Sequence, residues 1–91
     1  MNLKPQHVLS VMVVALNEAK HVAGLKAALD RLHLPEGWSL ETILIDGGSR
    51  DGTVEAAREA GFDECQVHPG ASIPVCRNHA LRAARGNALA F

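Results

Sequence analysis

The chain has 91 residues, 47% of them hydrophobic, with a formal net charge of -1 and two cysteines. That suffices for one small domain, residues 1–91, and not for two. The near-zero charge argues against nucleic acid as a partner, and no apolar run approaches the roughly 18–20 residues that span a bilayer, so no transmembrane segment is expected.

Cys65 and Cys76 form no CxxC pair. Reduced thiols in a cytoplasmic protein are therefore the expectation. Met1 to Ser10 carries one lysine but no long apolar stretch or small-residue cleavage site follows, so no signal peptide is read there. Aromatic residues make up only 3% of the chain, low for a self-sufficient core.

Val8 to Ala15 is nearly continuous in apolar residues and rich in valine, the pattern of a parallel strand covered on both faces. Asn17 sits where a helix cap would, and Glu18 follows in a first turn that favours acids. Val22, Leu25, Leu29 and Leu32 recur at helical spacing, which predicts a helix from Glu18 to about Leu32, ended by Pro35-Glu36-Gly37. Thr42 to Asp46 reads as a second strand. A second helix runs from Gly52 or Thr53 to Ala60, closed by Gly61, with Asp51 or Thr53 accepting from its free amides. Asp63 to His68 is a short third strand. Pro74 suits the first turn of a third helix that reaches about Arg85 and stops at Gly86. Asn87 to Phe91 begins a fourth strand. It terminates without a following turn or helix, so a truncated sheet is expected.

The order β-α-β-α-β-α-β predicts an α/β fold, a three-layer α/β/α sandwich around a mostly parallel, Rossmann-like sheet. Ligands of such sheets bind at the carboxyl ends of the strands. Two stretches fall there: "ALNEAK" after the first strand and "DGGSRDGT" after the second. Gly47 and Gly48 would let a ligand approach the backbone closely. Asp46 can either face that ligand or accept bonds from the loop amides that follow it. The loop is not GxxxxGK[ST], and the first turn carries no GxGxxG, which excludes a P-loop and a dinucleotide fingerprint. The five histidines show no tight metal spacing; His21 and His33 are read as surface residues, and Cys76 as a small buried hydrophobe.

Three segments together resemble family 2 glycosyltransferases. "VLSVMVVALNEAKHV" is similar to their first strand and turn, which usually ends Pro-x-Tyr-Asn-Glu. "ILIDGGSRDGT" is similar to their Asp-Asp-Gly-Ser-x-Asp-Gly-Thr. "PVCRNHALRAARGNALAF" is similar to their Arg-Asn-x-Gly-x-x-x-Ala-x-Gly segment, which leads into a strand bearing a metal-binding Asp-x-Asp. The resemblance implies a GT-A fold, of which this chain is the N-terminal nucleotide-binding part. It implies sugar transfer from a nucleotide-sugar donor to an acceptor hydroxyl, with a divalent cation, Mg²⁺ or Mn²⁺, whose ligands are absent from this chain.

Carried over by position, Ala15, Leu16, Asn17 and Glu18 line the base and ribose side. Asp46 contacts the base or supports its loop beside Gly47 and Gly48. Arg77 and Asn78 lie near the ribose or phosphates. The chain departs from the pattern at Val14 (usually proline), Leu16 (usually tyrosine) and Gly47 (usually a second aspartate, which in many members reads the uracil edge); the last departure leaves GDP-sugars or an atypical UDP mode open. The fragment is expected to be inactive alone. The competing reading is a non-catalytic α/β binding or assembly module, dimerising through an exposed sheet edge.

Overall fold

The computed structural model describes residues 7–86 and 88–90. The N-terminal residues read for a signal, and Asn87 and Phe91 of the expected fourth strand, lie outside the described residues. Four strands and three helices alternate: β1 (His7–Ala15), α1 (Ala19–Asp30), β2 (Trp38–Asp46), α2 (Thr53–Ala60), β3 (Glu64–Val67), α3 (Ile73–Ala83) and β4 (Ala88–Ala90). All strand pairs are parallel, in the order β3-β2-β1-β4. The expected α/β fold with helices on both faces is what the chain forms.

The apolar strands are explained by what covers them. Ile43, Leu44 and Ile45 are each 0% exposed, so β2 is buried on both faces. Ile43 and Ile45 pack with Met12 of β1 and with Cys76 and Ala80 of α3. Leu44 points the other way, into a cluster with Ala15, Val22 of α1, Ala57 of α2 and Phe62. A strand alternates its side chains, so a continuous apolar run serves two cores at once. Cys76 is buried in the first of these, as a small hydrophobe.

β2 begins at Trp38, four residues before the expected Thr42. Ser39 and Glu41 interrupt the apolar run that marks the rest of the strand. Pairing in register with β1, from His7↔Trp38 to Ala15↔Asp46, extends the strand through them. The rings of His7 and Trp38 lie 4.9 Å apart across this pair.

α1 differs from expectation in both its face and its start. Leu25 is 39% and Leu32 48% exposed, whereas Val22 and Lys26 are buried. Lys26 lays its aliphatic stem inward and sends its ammonium to Asp30, 2.6 Å away. Asn17 does not cap α1. It takes a left-handed backbone, φ 54°, and Glu18 is the residue at the N-cap, with no side-chain cap bond of its own.

α3 is capped by Ser72, whose hydroxyl accepts from the Val75 amide, and carries Pro74 in its first turn. It ends at Ala83, two residues short of the expected Arg85, because Ala84 turns extended. Gly86 is therefore not the stop signal of the helix. It lies where the chain crosses onto the sheet, and its amide donates to Ser10 Oγ at 2.9 Å. Ser10 Oγ in turn donates to Glu41 Oε1, which also accepts the Arg85 amide. Gly61 closes α2 in a left-handed conformation, as expected.

Candidate functional site

The chain path decides where a ligand would enter. From β1 it steps through α1 to β2 and through α2 to β3, always in one direction. α3 then carries it back across the sheet to β4, on the far side of β1. α1 and α2 cover one face and α3 the other. The strand order thus reverses between β1 and β4, and a crevice at the carboxyl ends of those strands is the usual ligand site of an open α/β sheet.

Three adjoining hollows lie there, all lined by Val14. One, of about 280 Å³, is walled by Ala15, Leu16, Glu18, Gly47, Ala71, Ile73 and Cys76. A second, of about 350 Å³, is formed by Met12, Val13, Ile73 and Arg77 on the α3 side. The third, of about 200 Å³ on the α1 side, includes His21 and Leu25. Leu16 and Ile73 are 57% and 58% exposed, offering flat apolar surface at the mouth. The floor is apolar, and ionisable groups stand at its rim: Glu18, His21 and Arg77.

Of the residues singled out from sequence, the structure brings Ala15, Leu16, Glu18 and Gly47 into one hollow and Arg77 into its neighbour. Asn78 is exposed on α3 and lines none of the three. Asn17, Asp46 and Gly48 are engaged in a network that joins the first and second turns. Asp46 is 1% exposed. Its Oδ2 accepts from the amides of Gly48 (3.0 Å) and Ser49 (2.7 Å), and its Oδ1 from the Ser49 hydroxyl. The second of the two roles considered for it, support of the loop, is the one its hydrogen bonds serve.

The loop's close approach is to its own chain. Gly48 has φ 104°, and a Cβ there would lie 3.1 Å from Pro69 Cα. Gly70 donates its amide to the Gly47 carbonyl at 3.1 Å. The loop between β3 and α3 thus leans on the glycines where a ligand backbone contact was expected.

The second turn also caps α1 from a distance. Ser49 Oγ accepts the Asn17 amide at 2.7 Å, Thr53 Oγ1 the Glu18 amide at 3.0 Å, and Asp51 Oδ2 the Ala19 amide at 3.1 Å. Asn17 Oδ1 accepts the Arg50 amide in return. The amides that lead into α1, ending with that of its first residue Ala19, are thus satisfied by residues of the next crossover, while the His21 amide is met by the Glu18 carbonyl.

The Thr53 hydroxyl, outweighing desolvation and joined by the Ala19 and Thr53 amides, holds the Asp51 carboxyl below its ordinary value of 3.8. The unfolded chain takes up that proton more readily than the folded one. The stability Asp51 contributes is therefore complete above a pH of about 3.8 and is lost as pH falls through the lower, folded value. Asp51→Asn is expected to flatten the acid limb of a stability-against-pH curve measured by urea unfolding. An unchanged limb would place the acid sensitivity elsewhere.

The missed site residues are Ala71, Ile73 and Cys76 on one side and His21 and Leu25 on the other. Ile73 could have been found: Ser72 and Pro74 mark a helix start, and a helix start after a strand lies at the carboxyl edge. Burial pushes the Cys65 thiol up, which makes it a poor nucleophile. Among the described residues no three His, Cys, Asp or Glu side chains converge on a metal site. Among the same residues no helix is long and apolar enough to cross a membrane.

No family model matches the sequence, and no curated protein matches it. Among solved structures, a mycobacterial protein is similar to 94% of this chain with a TM-score of 0.73 and 24% identity. At that identity the likeness shows the fold. The chain spans 30% of the length of that protein.

Proposed function

We propose that the chain is the donor-binding part of a glycosyltransferase, which moves a sugar from a nucleotide-sugar to an acceptor hydroxyl. The observation that carries this reading is the convergence of three hollows on Val14, at the point where the strand order reverses. Three segments that resemble family 2 glycosyltransferases supply residues there: Ala15, Leu16 and Glu18 of the first with Gly47 of the second in one hollow, and Arg77 of the third in the next. Leu16 and Ile73 suit the flat face of a nucleobase. Arg77 offers a planar fork for a diphosphate. In the reaction the acceptor oxygen bonds to the anomeric carbon as the bond to the diphosphate breaks, and the departing charge needs a cation close by. Residues 1–91 bind donor in this reading without transferring sugar, since the divalent cation and the base belong to a further segment. Two free cysteines accord with a reducing, cytoplasmic setting.

Titration of isotope-labelled protein with UDP and then GDP tests the reading. Amide signals of Leu16, Gly47 and Ala71 should move with one of them, and Arg77→Ala should weaken that binding about tenfold. Silence of all three amides at about 5 mM of either nucleotide would sink it.

A specific observation favours a second reading, a non-catalytic assembly module. β4 pairs with Leu9 to Val11, and among the described residues Met12 to Ala15 have no strand on that side. Ile73 and Leu25 stand exposed beside this edge. Such edges pair with other chains. Sedimentation showing a dimer that dissociates in Val13→Lys would support it; a monomer at all concentrations would not.

A further inference from the structure

At the start of the loop that walls the main hollow, two imidazoles are stacked. The rings of His68, just after β3, and His79, on α3, lie with centroids 3.5 Å apart and planes 4° from parallel. The loop itself rests on the site. The His68 amide donates to the Asp46 carbonyl at 2.8 Å, the Gly70 amide to the Gly47 carbonyl at 3.1 Å, and Ala71 lines the hollow beside Leu16.

We propose that the His68–His79 stack is a pH-operated latch on the loop between β3 and α3, closed while either ring is neutral and released when both are protonated. Two cationic rings cannot remain face to face at van der Waals separation without strong repulsion, so a charge on both drives the stack apart. The surroundings reinforce this. From α3, the Arg82 guanidinium adds positive charge, and burial, His68 and Arg82 in that order hold His79 below the ordinary imidazole value. From β3, Gln66 faces the pair as a neutral amide, with its Oε1 2.8 Å from His68 Nε2. From β2, the Asp46 carboxylate, which could have offset the charge, is occupied by Gly48 and Ser49. The second proton is thus opposed by two cations and, among the described residues, met by no carboxylate in the contacts of either ring. Release of His68 loosens the Gly70 bond to Gly47 and with it the Ala71 wall. The latch goes beyond the donor-binding reading and is tested without any ligand, so each can fail alone.

The experiment is an NMR titration of the imidazoles with amide hydrogen exchange at Gly70, from a pH of about 7 to about 5. In the native protein the two rings should titrate as a coupled pair. Gly70 protection, corrected for the intrinsic pH dependence of exchange, should fall about tenfold across that range. His79→Phe keeps a ring in the stack without a second charge, and its Gly70 protection should stay flat. His79→Gln removes the partner, and His68 should then titrate in a single step. Independent single-step titration of both rings in the native protein would overturn the proposal. So would Gly70 protection that is equal at both pH values, or that falls as far in His79→Phe as in the native chain.

Discussion

Gly86→Ala is expected to destabilise the domain by about 3 kcal/mol and to lower its melting temperature by about 15 °C. A Cβ at Gly86 would lie 2.6 Å from the Val8 carbonyl oxygen and 3.0 Å from the Ser10 amide nitrogen, and would collide with Ser10 Oγ as well. Backbone atoms of a central strand cannot move aside without breaking the β1–β2 pairing. The crossover would have to lift instead, and Gly86 would lose its bond to Ser10 while Arg85 lost its bond to Glu41. Ser10 is 0% exposed, so its hydroxyl would be left without one of its partners in a dry site. Thermal melts followed by circular dichroism measure this directly. Gly24→Ala is the control. Nothing lies within 4 Å of a Cβ there, and Gly24 is in the middle of α1. That change should raise stability by about 0.5–1 kcal/mol, as glycine-to-alanine changes in helix interiors do. Equal effects of the two substitutions would refute the steric account.

Asp46→Ala should also cost about 3 kcal/mol, for a different reason. The carboxylate is buried and satisfies the amides of Gly48 and Ser49 and the Ser49 hydroxyl. Removal strands two amide donors beneath the loop of residues 68–71. Asp46→Asn should cost less than half as much. An amide oxygen can accept from both backbone groups, and the Ser49 hydroxyl can rotate to accept from the amide nitrogen. Urea unfolding of the two variants checks the order. Nucleotide titration of Asp46→Asn separates the two roles of this residue. Retained binding would leave Asp46 as loop support, and lost binding in a stably folded variant would return it to the ligand.

The fold was legible where one residue type had one reason to be present. Ile43 to Ile45 are apolar because both faces of β2 are covered, and the run from Val8 to Ala15 has its middle, Val11 and Met12, buried in the same way. Gly61 after Ala60 marks the end of α2 by its backbone alone. Legibility failed where a residue's role depends on a distant partner. Lys26 reads as solvent-facing until Asp30 and the inner face of α1 are placed around it. Asn17 reads as a cap, since its donors and acceptors suit one. Only the second turn, 32 residues away for Ser49 and Asp51, shows that the cap is supplied from elsewhere. At the site, the apolar turn residues could be read from the pattern of strand ends. Ile73 was within reach through the helix start marked by Ser72 and Pro74, whereas Ala71 could not be weighed, because which loop walls the hollow is a fact of topology.

The remote capping of α1 has a consequence for how the chain folds. A β1–α1 segment on its own meets the His21 and Val22 amides through the Glu18 carbonyl but has no acceptor for the Asn17, Glu18 and Ala19 amides at the helix entry; these wait for Ser49, Thr53 and Asp51 to arrive from beyond β2. Loop closure over that distance precedes the gain from those bonds, so the nucleus must include β2 and the second turn before α1 becomes firm. Mutations at Asp51 should then slow refolding rather than hasten unfolding, a high-φ position on the surface of the molecule. A nascent chain that has exposed α1 but not yet residue 53 carries a helix whose N-terminus is still loose, and the first half of this domain becomes cooperative only when its second turn is made.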